Sequence, residues 1–306
     1  MTIAGDRADD SPDCKLNDLL GEAANAINDG ADNADELILR VMEAIAQRME
    51  VAEPDPCSEL IAQAEQAEVV HDWDRARAYY EQGIQQAIAE NDAWNHVRLL
   101  NKMSHLCHVQ GGEAEAYQWS CRSVEVARGP GSPLLEGALE RLAHCALRMG
   151  MANEVCAAAD EGLALLRDSL LISSTGVDLL LLRAQARLLT SDAMAAKADL
   201  DEAWLQLQRQ QFLRCAPGIQ WRTGQWWRVK ALVSDQTSDW NETSHAWQQA
   251  LDAFRAAASF WETVGWIGEA AEAGNRAAIG AMLREYADAA ERAGEFVLAE
   301  ELRSQC

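Results

Sequence analysis

Five residues in the middle of this 306-residue chain have side chains that could bind a metal ion. They are His105, Cys107, His108, His144 and Cys145. Three imidazoles that converge could bind a zinc ion, because neutral imidazole is a common zinc ligand. Cys107, however, falls on an apolar helical stripe, where cysteine behaves as a small buried hydrophobe. No carboxylate is placed beside the group as a general base, so we predict neither a metal site nor a cofactor.

Sequence signatures of catalysis are missing as well. The chain contains no nucleophile elbow, no His-Glu-x-x-His and no glycine-rich loop that joins a strand to a helix. Its glycines and prolines cluster at turns instead, and they are too far apart to form a phosphate-binding loop. We therefore predict that the protein is not an enzyme.

Polar side chains recur at helical spacing in the same part of the chain and are suited to binding. Arg98, Asn101 and His105 lie at offsets of three and four, so they share one face of a helix. Arginine suits such a face because its planar fork can hold a carboxylate with two parallel hydrogen bonds. Over four successive runs, the candidate binding residues are Arg98, Asn101, His105, His108, Glu140, Arg141, His144, Arg148, Arg183, Arg187, Arg222 and Arg228.

The elements that carry these residues follow a fixed sequence period. A stripe of small or apolar residues at helical spacing returns with Ala76, Ala116, Val155 and Ala196, which are 40, 39 and 41 residues apart. A second helical run with its own apolar stripe precedes each of them. A fixed period of this size is typical of a stack of helical hairpins.

Residues 57–256 resemble the tetratricopeptide repeat superfamily in the class of residue at each signature position. Ser104 stands where the first helix of the family has a glycine. Ala76, Tyr80 and Gly83 supply the small, aromatic and small residues of the second helix. The spacing near 40 rather than 34 residues is similar to a longer-helix branch used in scaffolds and bacterial sensor proteins. The resemblance implies that the first helices line a concave groove and the second helices form its convex back.

The predicted fold is therefore all-α: a right-handed α-solenoid of stacked antiparallel helical hairpins with capping helices at both ends. We predict a disordered N-terminus over residues 1–13 and N-terminal capping helices over 14–51. Five hairpins follow over 57–256. The C-terminal helices over 257–306 could form an incomplete sixth repeat.

The net charge and its distribution along the chain limit the class of partner that the protein is expected to bind. The net charge of −23 disfavours binding to nucleic acid or insertion at an anionic membrane surface. The first helices of the later repeats nevertheless carry more basic than acidic residues, whereas the second helices are acidic. This division predicts a protein or peptide partner with acidic contact points in the groove. The first helix of the first repeat is the exception, because it has Glu59, Glu65 and Glu68 and no base.

The cysteines and the start of the chain predict a soluble, cytoplasmic protein. The eight cysteines form no Cys-x-x-Cys pair and several fall on apolar stripes, which suits a reducing compartment. The first residues lack the basic and apolar segments of a signal peptide. The longest apolar run, Leu179 to Leu182, is too short to span a bilayer.

We predict a non-catalytic adaptor or assembly scaffold that binds a peptide or protein segment in its groove. The alternative is a regulatory sensor in which a small ligand or short peptide closes the superhelix, and a metal-dependent enzyme ranks third. The polar residues could also be an ordinary solvated face. The clamp that the family uses for chaperone C-termini needs a lysine and an asparagine where this chain has Ile61 and Glu65, so that partner is not predicted. Trp221 and Trp226 could form a binding hot spot or, as we favour, fill the interface with the C-terminal helices.

Overall fold

The chain divides into two units, Met1–Asp55 and Pro56–Cys306. The computed structural model describes residues 22, 37, 40, 55–129, 134–167, 174–209, 217–236, 239–264 and 269–305. Nearly all of the first unit therefore lies outside the described residues. The predictions of a disordered segment over 1–13 and of capping helices over 14–51 lie there as well.

Twelve helices form the described part of the second unit, in which no β-strand occurs. In chain order they are α1 Pro56–Val69, α2 Trp73–Glu90, α3 Ala93–Val109, α4 Glu113–Ala127, α5 Leu135–Arg148, α6 Ala152–Leu166, α7 Ser174–Leu189, α8 Ala193–Arg209, α9 Pro217–Gln236, α10 Trp240–Val264, α11 Glu269–Arg292 and α12 Phe296–Ser304. Consecutive helices pack as hairpins, from α1 with α2 to α11 with α12. The first helices α1, α3, α5, α7 and α9 contact one another in order and form one layer. These contacts confirm the predicted all-α solenoid of stacked helical hairpins.

One kind of turn recurs inside the hairpins and explains the sequence period. Left-handed backbone follows the first helix in five hairpins, at His71 (φ 57°), Gly111 (φ 78°), Gly150 (φ 71°), Ser191 (φ 60°) and Gly294 (φ 87°). The next N–H then bonds to the carbonyl five residues earlier, as the Asp72 N–H does to the Ala67 oxygen at 2.9 Å. This bond is the mark of a Schellman motif, which ends a helix and reverses the chain. The first four turns are 40, 39 and 41 residues apart, so the period of stripes is also a period of turns.

Aspartates start the following helix at two of these turns. The Asp72 carboxylate accepts a hydrogen bond from the Arg75 N–H at 3.2 Å, and the Asp192 carboxylate accepts one from the Ala195 N–H at 3.0 Å. Each such N-cap stabilises its helix by about 1 kcal/mol, because it satisfies a backbone donor that the helix cannot. Asp72 and Asp192 therefore each close one helix through the backbone N–H and begin the next helix through the side-chain carboxylate.

Small residues let each second helix lie close against the first helix of the next hairpin. A Cβ atom at Gly83 would lie 2.8 Å from Cδ2 of Leu99, and one at Gly162 would lie 2.6 Å from Cδ1 of Leu179. Both leucines are fully buried. The predicted small stripe on the second helices is thus a contact between hairpins, which explains why glycine or alanine is needed there.

The sixth hairpin continues the stack at its C-terminal end. Helix α10 runs for 25 residues to Val264, beyond residue 256, where the sequence pattern ends the fifth hairpin. Trp247 of α10 stacks on Tyr286 of α11, with ring centroids 5.9 Å apart and planes 16° from parallel. Helix α11 also contacts α1 at the other end of the unit. None of the helices in the described ranges is long and apolar enough to cross a membrane.

We expect Gly162→Val to lower the free energy of unfolding by about 1–3 kcal/mol, because its side chain would displace the buried Leu179. Urea unfolding followed by tryptophan fluorescence measures the change. Gly137→Val is the matched control, since no neighbouring atom lies within 4 Å of a Cβ at Gly137 in α5. Equal stability of the two variants would contradict close packing between α6 and α7.

Candidate binding groove

A groove of about 900 Å³ runs across the first helices α5, α7 and α9. Its lining combines leucines and a tryptophan with charged and amide side chains. The lining residues are Glu140, His144, Leu147, Arg148, Asp178, Leu181, Leu182, Gln185, Leu188, Leu189, Gly218, Trp221, Arg222, Gln225, Arg228, Leu232, Asp235 and Gln236. Three successive repeats thus contribute to one surface, which is the arrangement that the sequence resemblance implies.

The groove brings together five of the twelve sequence-predicted binding residues: Glu140, His144, Arg148, Arg222 and Arg228. Arg141, the next residue on α5 after Glu140, does not line it. Consecutive residues on a helix point about 100° apart, and at this position the rotation takes Arg141 out of the groove wall. The groove also takes its apolar lining and Asp178, Gln185 and Asp235 from positions that the sequence-based list of binding residues leaves out.

The arginines of the groove are engaged in ion pairs. Arg222 binds Asp178 through two nitrogens, with Nε and Nη2 at 2.9 and 2.8 Å from Oδ2. Arg228 binds Glu285 of α11 in the same way, at 2.8 and 2.7 Å, and also donates to Gln185 at 3.1 Å.

The third arginine of the groove, Arg148, lies 3.2 Å from Glu113 at the start of α4. The described lining therefore offers an acidic ligand no unpaired arginine. The expectation of acidic contact points rested on counting charges along each helix, and the three arginines that line the groove are already held in ion pairs.

Helix α11 borders the groove through ion pairs to α9. Arg228 on α9 reaches Glu285, and Asp235 on α9 accepts a hydrogen bond from Arg292 at 2.5 Å. Arg292 is more than half exposed, so water screens that pair and it contributes little to stability. The side of the groove next to α11 is thus held by contacts that solvent can reach.

Glu140 is a largely buried carboxyl group in the wall of the groove. Its side chain has a hydrogen bond with Thr175, and its charged neighbours are Asp178, Arg141 and Arg222. Burial, with the nearby Asp178 carboxylate as the second cause, raises the pKa of Glu140 to about 7. Burial raises the pKa of Asp178 as well, although Arg222 opposes the shift. Asp178 is paired with Arg222, whereas Glu140 has no ion-pair partner among the described residues and feels Arg141 only at longer range.

The histidines lie at the edge of the groove rather than around a common point. His108 Nδ1 is 2.9 Å from the Glu113 carboxylate, and the His108 and His144 rings meet edge to face with centroids 5.3 Å apart. Burial lowers the pKa of His144 to about 4, so its imidazole is neutral. His105 is exposed on α3. No group of three potential ligands within reach of one metal ion occurs in the described part of the chain.

The remaining candidates on α3 lie on the first-helix layer but outside the groove. Arg98 donates to Asn95 at 3.0 Å within its own helix. Asn101 has a buried Oδ1 without a hydrogen-bond partner in the described structure. Lys102 binds Glu65 of α1 at 2.5 Å. Of these three α3 residues, Lys102 joins α3 to α1 and Arg98 bonds within its own helix.

Arg183 and Arg187 correct the sequence interpretation, because they do not face the groove. Both bind Asp199 of α8, which is 3% exposed, with nitrogen–oxygen distances of 2.6 Å each. Arg183 binds Asp160 of α6 as well. These arginines therefore join the second helices of two hairpins to α7, and neither of them lines the groove.

Trp221 and Trp226 lie in different environments. Trp226 is buried, donates to the Leu200 oxygen at 2.8 Å and packs on Trp204, so it is part of the core between α8 and α9. Trp221 packs against Phe254 of α10 with centroids 4.4 Å apart and also lines the groove. The apolar cluster against which Trp221 packs combines residues of α9, α10, α11 and α12, as expected for a side chain that packs toward the C-terminal helices.

Comparisons with known proteins agree with the fold. No protein-family model and no curated protein sequence matches the chain. Among solved structures, the apo form of RapI is similar with a TM-score of 0.61 and 11% identity over 95% of this chain and 96% of that chain. BtubC from P. vanneervenii has a TM-score of 0.52 and 16% identity over 82% and 89% of the two chains. A tetratricopeptide repeat protein from Parabacteroides merdae has a TM-score of 0.46 and 12% identity, covering 81% and 93%.

Likeness at this level of identity extends to the fold alone. Together with the hairpin stack and its repeated turns, the first two likenesses confirm the all-α solenoid of stacked helical hairpins that the sequence predicts.

We expect Glu140→Gln to stabilise the protein at pH 8 by on the order of 1–3 kcal/mol and by less at pH 5.5. The folded-state pKa of about 7 exceeds the ordinary value of 4.5. The folded chain therefore keeps a proton that the unfolded chain loses, and stability falls as pH rises through this window. Urea unfolding at the two pH values measures the gain. Glu125→Gln, an exposed site on α4, should show none, and a gain independent of pH would contradict the placement of Glu140.

Asp199→Ala should lower the free energy of unfolding by about 3 kcal/mol, because it leaves two arginines with less compensation in a largely buried position. Thermal and urea unfolding measure the loss. Asp201→Ala on the same helix is exposed and should change stability by less than about 0.5 kcal/mol. A loss of peptide binding without a loss of stability in the Asp199 variant would show that the arginines belong to a binding surface after all.

Proposed function

We propose that the protein is a non-catalytic adaptor or assembly scaffold that binds a short peptide or protein segment in the groove of α5, α7 and α9. The observation that supports this proposal is the groove itself, because three successive repeats contribute apolar and polar side chains to one continuous surface. Repeat stacks commonly present such extended surfaces to partners.

The dimensions of the groove suit an extended segment. Helix axes in contact are roughly 8–10 Å apart, so three neighbouring first helices span roughly 20 Å. An extended chain covers about 3.3 Å per residue, so about six residues fit along this length. The volume of about 900 Å³ is at the upper end for pockets that hold small molecules, which also favours a peptide.

The chemistry of the lining suits a peptide as well. Leu181, Leu188 and Leu232 offer apolar surface for side chains, and Trp221 offers an aromatic anchor. Gln225 has an amide that can both donate to and accept from a peptide backbone. Ion pairs such as Arg222–Asp178 hold the polar wall in place before a ligand arrives, which lowers the entropy cost of binding.

A regulatory sensor is the second candidate, and the contacts between α9 and α11 favour it. The pairs Arg228–Glu285 and Arg292–Asp235 both use groove residues on α9. A ligand that bound Arg228 or Asp235 would compete with α11 for them and could shift that helix. The absence of catalysis, the cytoplasmic location and the exclusion of nucleic acid remain predictions from the sequence.

Gln225→Trp should block the groove and abolish peptide binding, because the indole would fill space that a ligand needs. A phage-displayed library of random dodecapeptides is selected on the wild-type protein, and the enriched peptides are synthesised. Their affinity should fall at least about tenfold for Gln225→Trp. Gln85→Trp, on an exposed position of α2, makes the same substitution away from the groove and should bind as the wild type does. Enriched peptides that bind both variants equally would place the binding surface elsewhere.

A further inference from the structure

The charged side chains that line the groove differ in whether they have an ionic partner. Arg148, Arg222, Arg228 and Asp235 are each in an ion pair, and so is the Asp178 that holds Arg222. Glu140 is the exception among the described lining residues, since its hydrogen bond is to the Thr175 hydroxyl. One wall of the groove therefore carries a carboxyl group without a cation.

The side chains around Glu140 do not supply that cation. On α7, Thr175 and Asp178 face it, and the second of these is itself acidic. On α9, Arg222 is committed to Asp178 through both Nε and Nη2. Arg141 is close enough to act on Glu140 through its charge but lies outside the groove wall.

A second unsatisfied group lies one helical turn from Glu140. His144 is four residues further along α5, so it faces the same wall, and it also lines the groove. Its Nδ1 atom is buried and has no hydrogen-bond partner in the described structure. Because the imidazole is neutral, this nitrogen can accept a hydrogen bond if the proton is on Nε2. Buried polar atoms in native proteins are nearly always paired, so an unpaired one in a groove wall points to a missing donor.

We propose that Glu140 and His144 together bind a positively charged group of the peptide that occupies the groove. A guanidinium group fits best, because it carries several N–H donors in a fixed plane and can serve a carboxylate and an imidazole nitrogen at once. A lysine ammonium or the free N-terminus of a chain shares this chemistry with fewer donors. The proposal rests on the proposed function. It gives the partner a positively charged group, whereas the count of charges along the helices predicts acidic contact points.

A bound cation would also compensate the ionised form of Glu140, which burial disfavours in the empty groove. A buried carboxylate without a partner is unfavourable, and this burial raises the pKa of Glu140 to about 7. A bound cation favours the ionised form, so binding lowers this pKa and releases a proton near neutral pH. Affinity for a cationic peptide should therefore rise between pH 6 and pH 8, since the carboxylate is formed in that interval.

The test uses the same phage-displayed dodecapeptide library, selected in parallel on the wild type, Glu140→Gln and Glu125→Gln. Peptides whose binding is lost with Gln225→Trp are taken as groove ligands. We expect these peptides to be enriched in arginine or lysine on the wild type and on Glu125→Gln, which has the same net charge as Glu140→Gln. The enrichment should disappear on Glu140→Gln, and the urea unfolding of this variant described above shows that the loss does not come from misfolding.

Synthetic peptides then measure the interaction directly. Three enriched peptides are made with acetylated and free N-termini, and each with its arginine replaced by citrulline, which is neutral and of similar shape. The citrulline peptides should bind the wild type about tenfold more weakly and bind Glu140→Gln with less than about a twofold change. Loss of affinity on acetylation instead would identify the chain N-terminus as the cation. The arginine peptides should bind the wild type about fivefold more tightly at pH 8 than at pH 6, and Glu140→Gln should remove this dependence.

The outcomes separate this inference from the proposed function. Groove-dependent peptides that are acidic, or that keep their arginine preference on Glu140→Gln, would overturn the cation site and leave peptide binding intact. A selection that yields no groove-dependent peptide at all would overturn the proposed function, and the cation site with it.

Discussion

Close contact between each second helix and the next first helix is the constraint on which the rest of the structure depends. The contact exists because Gly83 and Gly162 have no side chain to separate α2 from α3 and α6 from α7. Hairpins held this close place their first helices side by side in one layer. The groove follows from that layer, since its walls come from α5, α7 and α9 at matching positions of three repeats. A spacing wider by one methyl group at each contact would change the width of the groove across every repeat.

The arginines that line the groove are neutralised by ion pairs with carboxylates of other helices. Arg148, Arg222 and Arg228 bring positive charge into the layer, but each is opposed by a carboxylate from another helix. Such pairs contribute little net attraction for a ligand, and they cost little to leave in place when the groove is empty. Selectivity then comes from the groups that are left over. In this groove those groups are Glu140 and the Nδ1 atom of His144, so a small imbalance matters more than the total charge of the protein.

The sequence predicted the fold in some detail and the site only in part, for physical reasons that differ. Helix pairs, their period and the small stripe are local features, and spacing along the chain is enough to find them. Glu140, His144 and Arg222 were found in the lining of the groove, because their registers were clear in the sequence. Arg183 and Arg187 were not, since an error of two residues in register turns a side chain by about 200° and moves it from the groove to the back of the layer. Whether an arginine is free or paired depends on helices more than thirty residues away, as Arg222 and Asp178 illustrate, and no local pattern carries that information.

The contact between α11 and α1 differs in kind from the contacts between neighbouring hairpins in the described part of the stack. Hairpins meet neighbours that lie close in sequence, so most of the structure can form by local steps that each close a short loop. The α1–α11 contact instead joins segments about two hundred residues apart. Closing a loop of that length lowers the entropy of the chain by more than a small contact offsets. The contact is therefore favourable only after the hairpins between the two helices have formed. This contact should therefore form last as the chain folds and open first as it unfolds, so the ends of the stack separate while the groove in its middle is still intact.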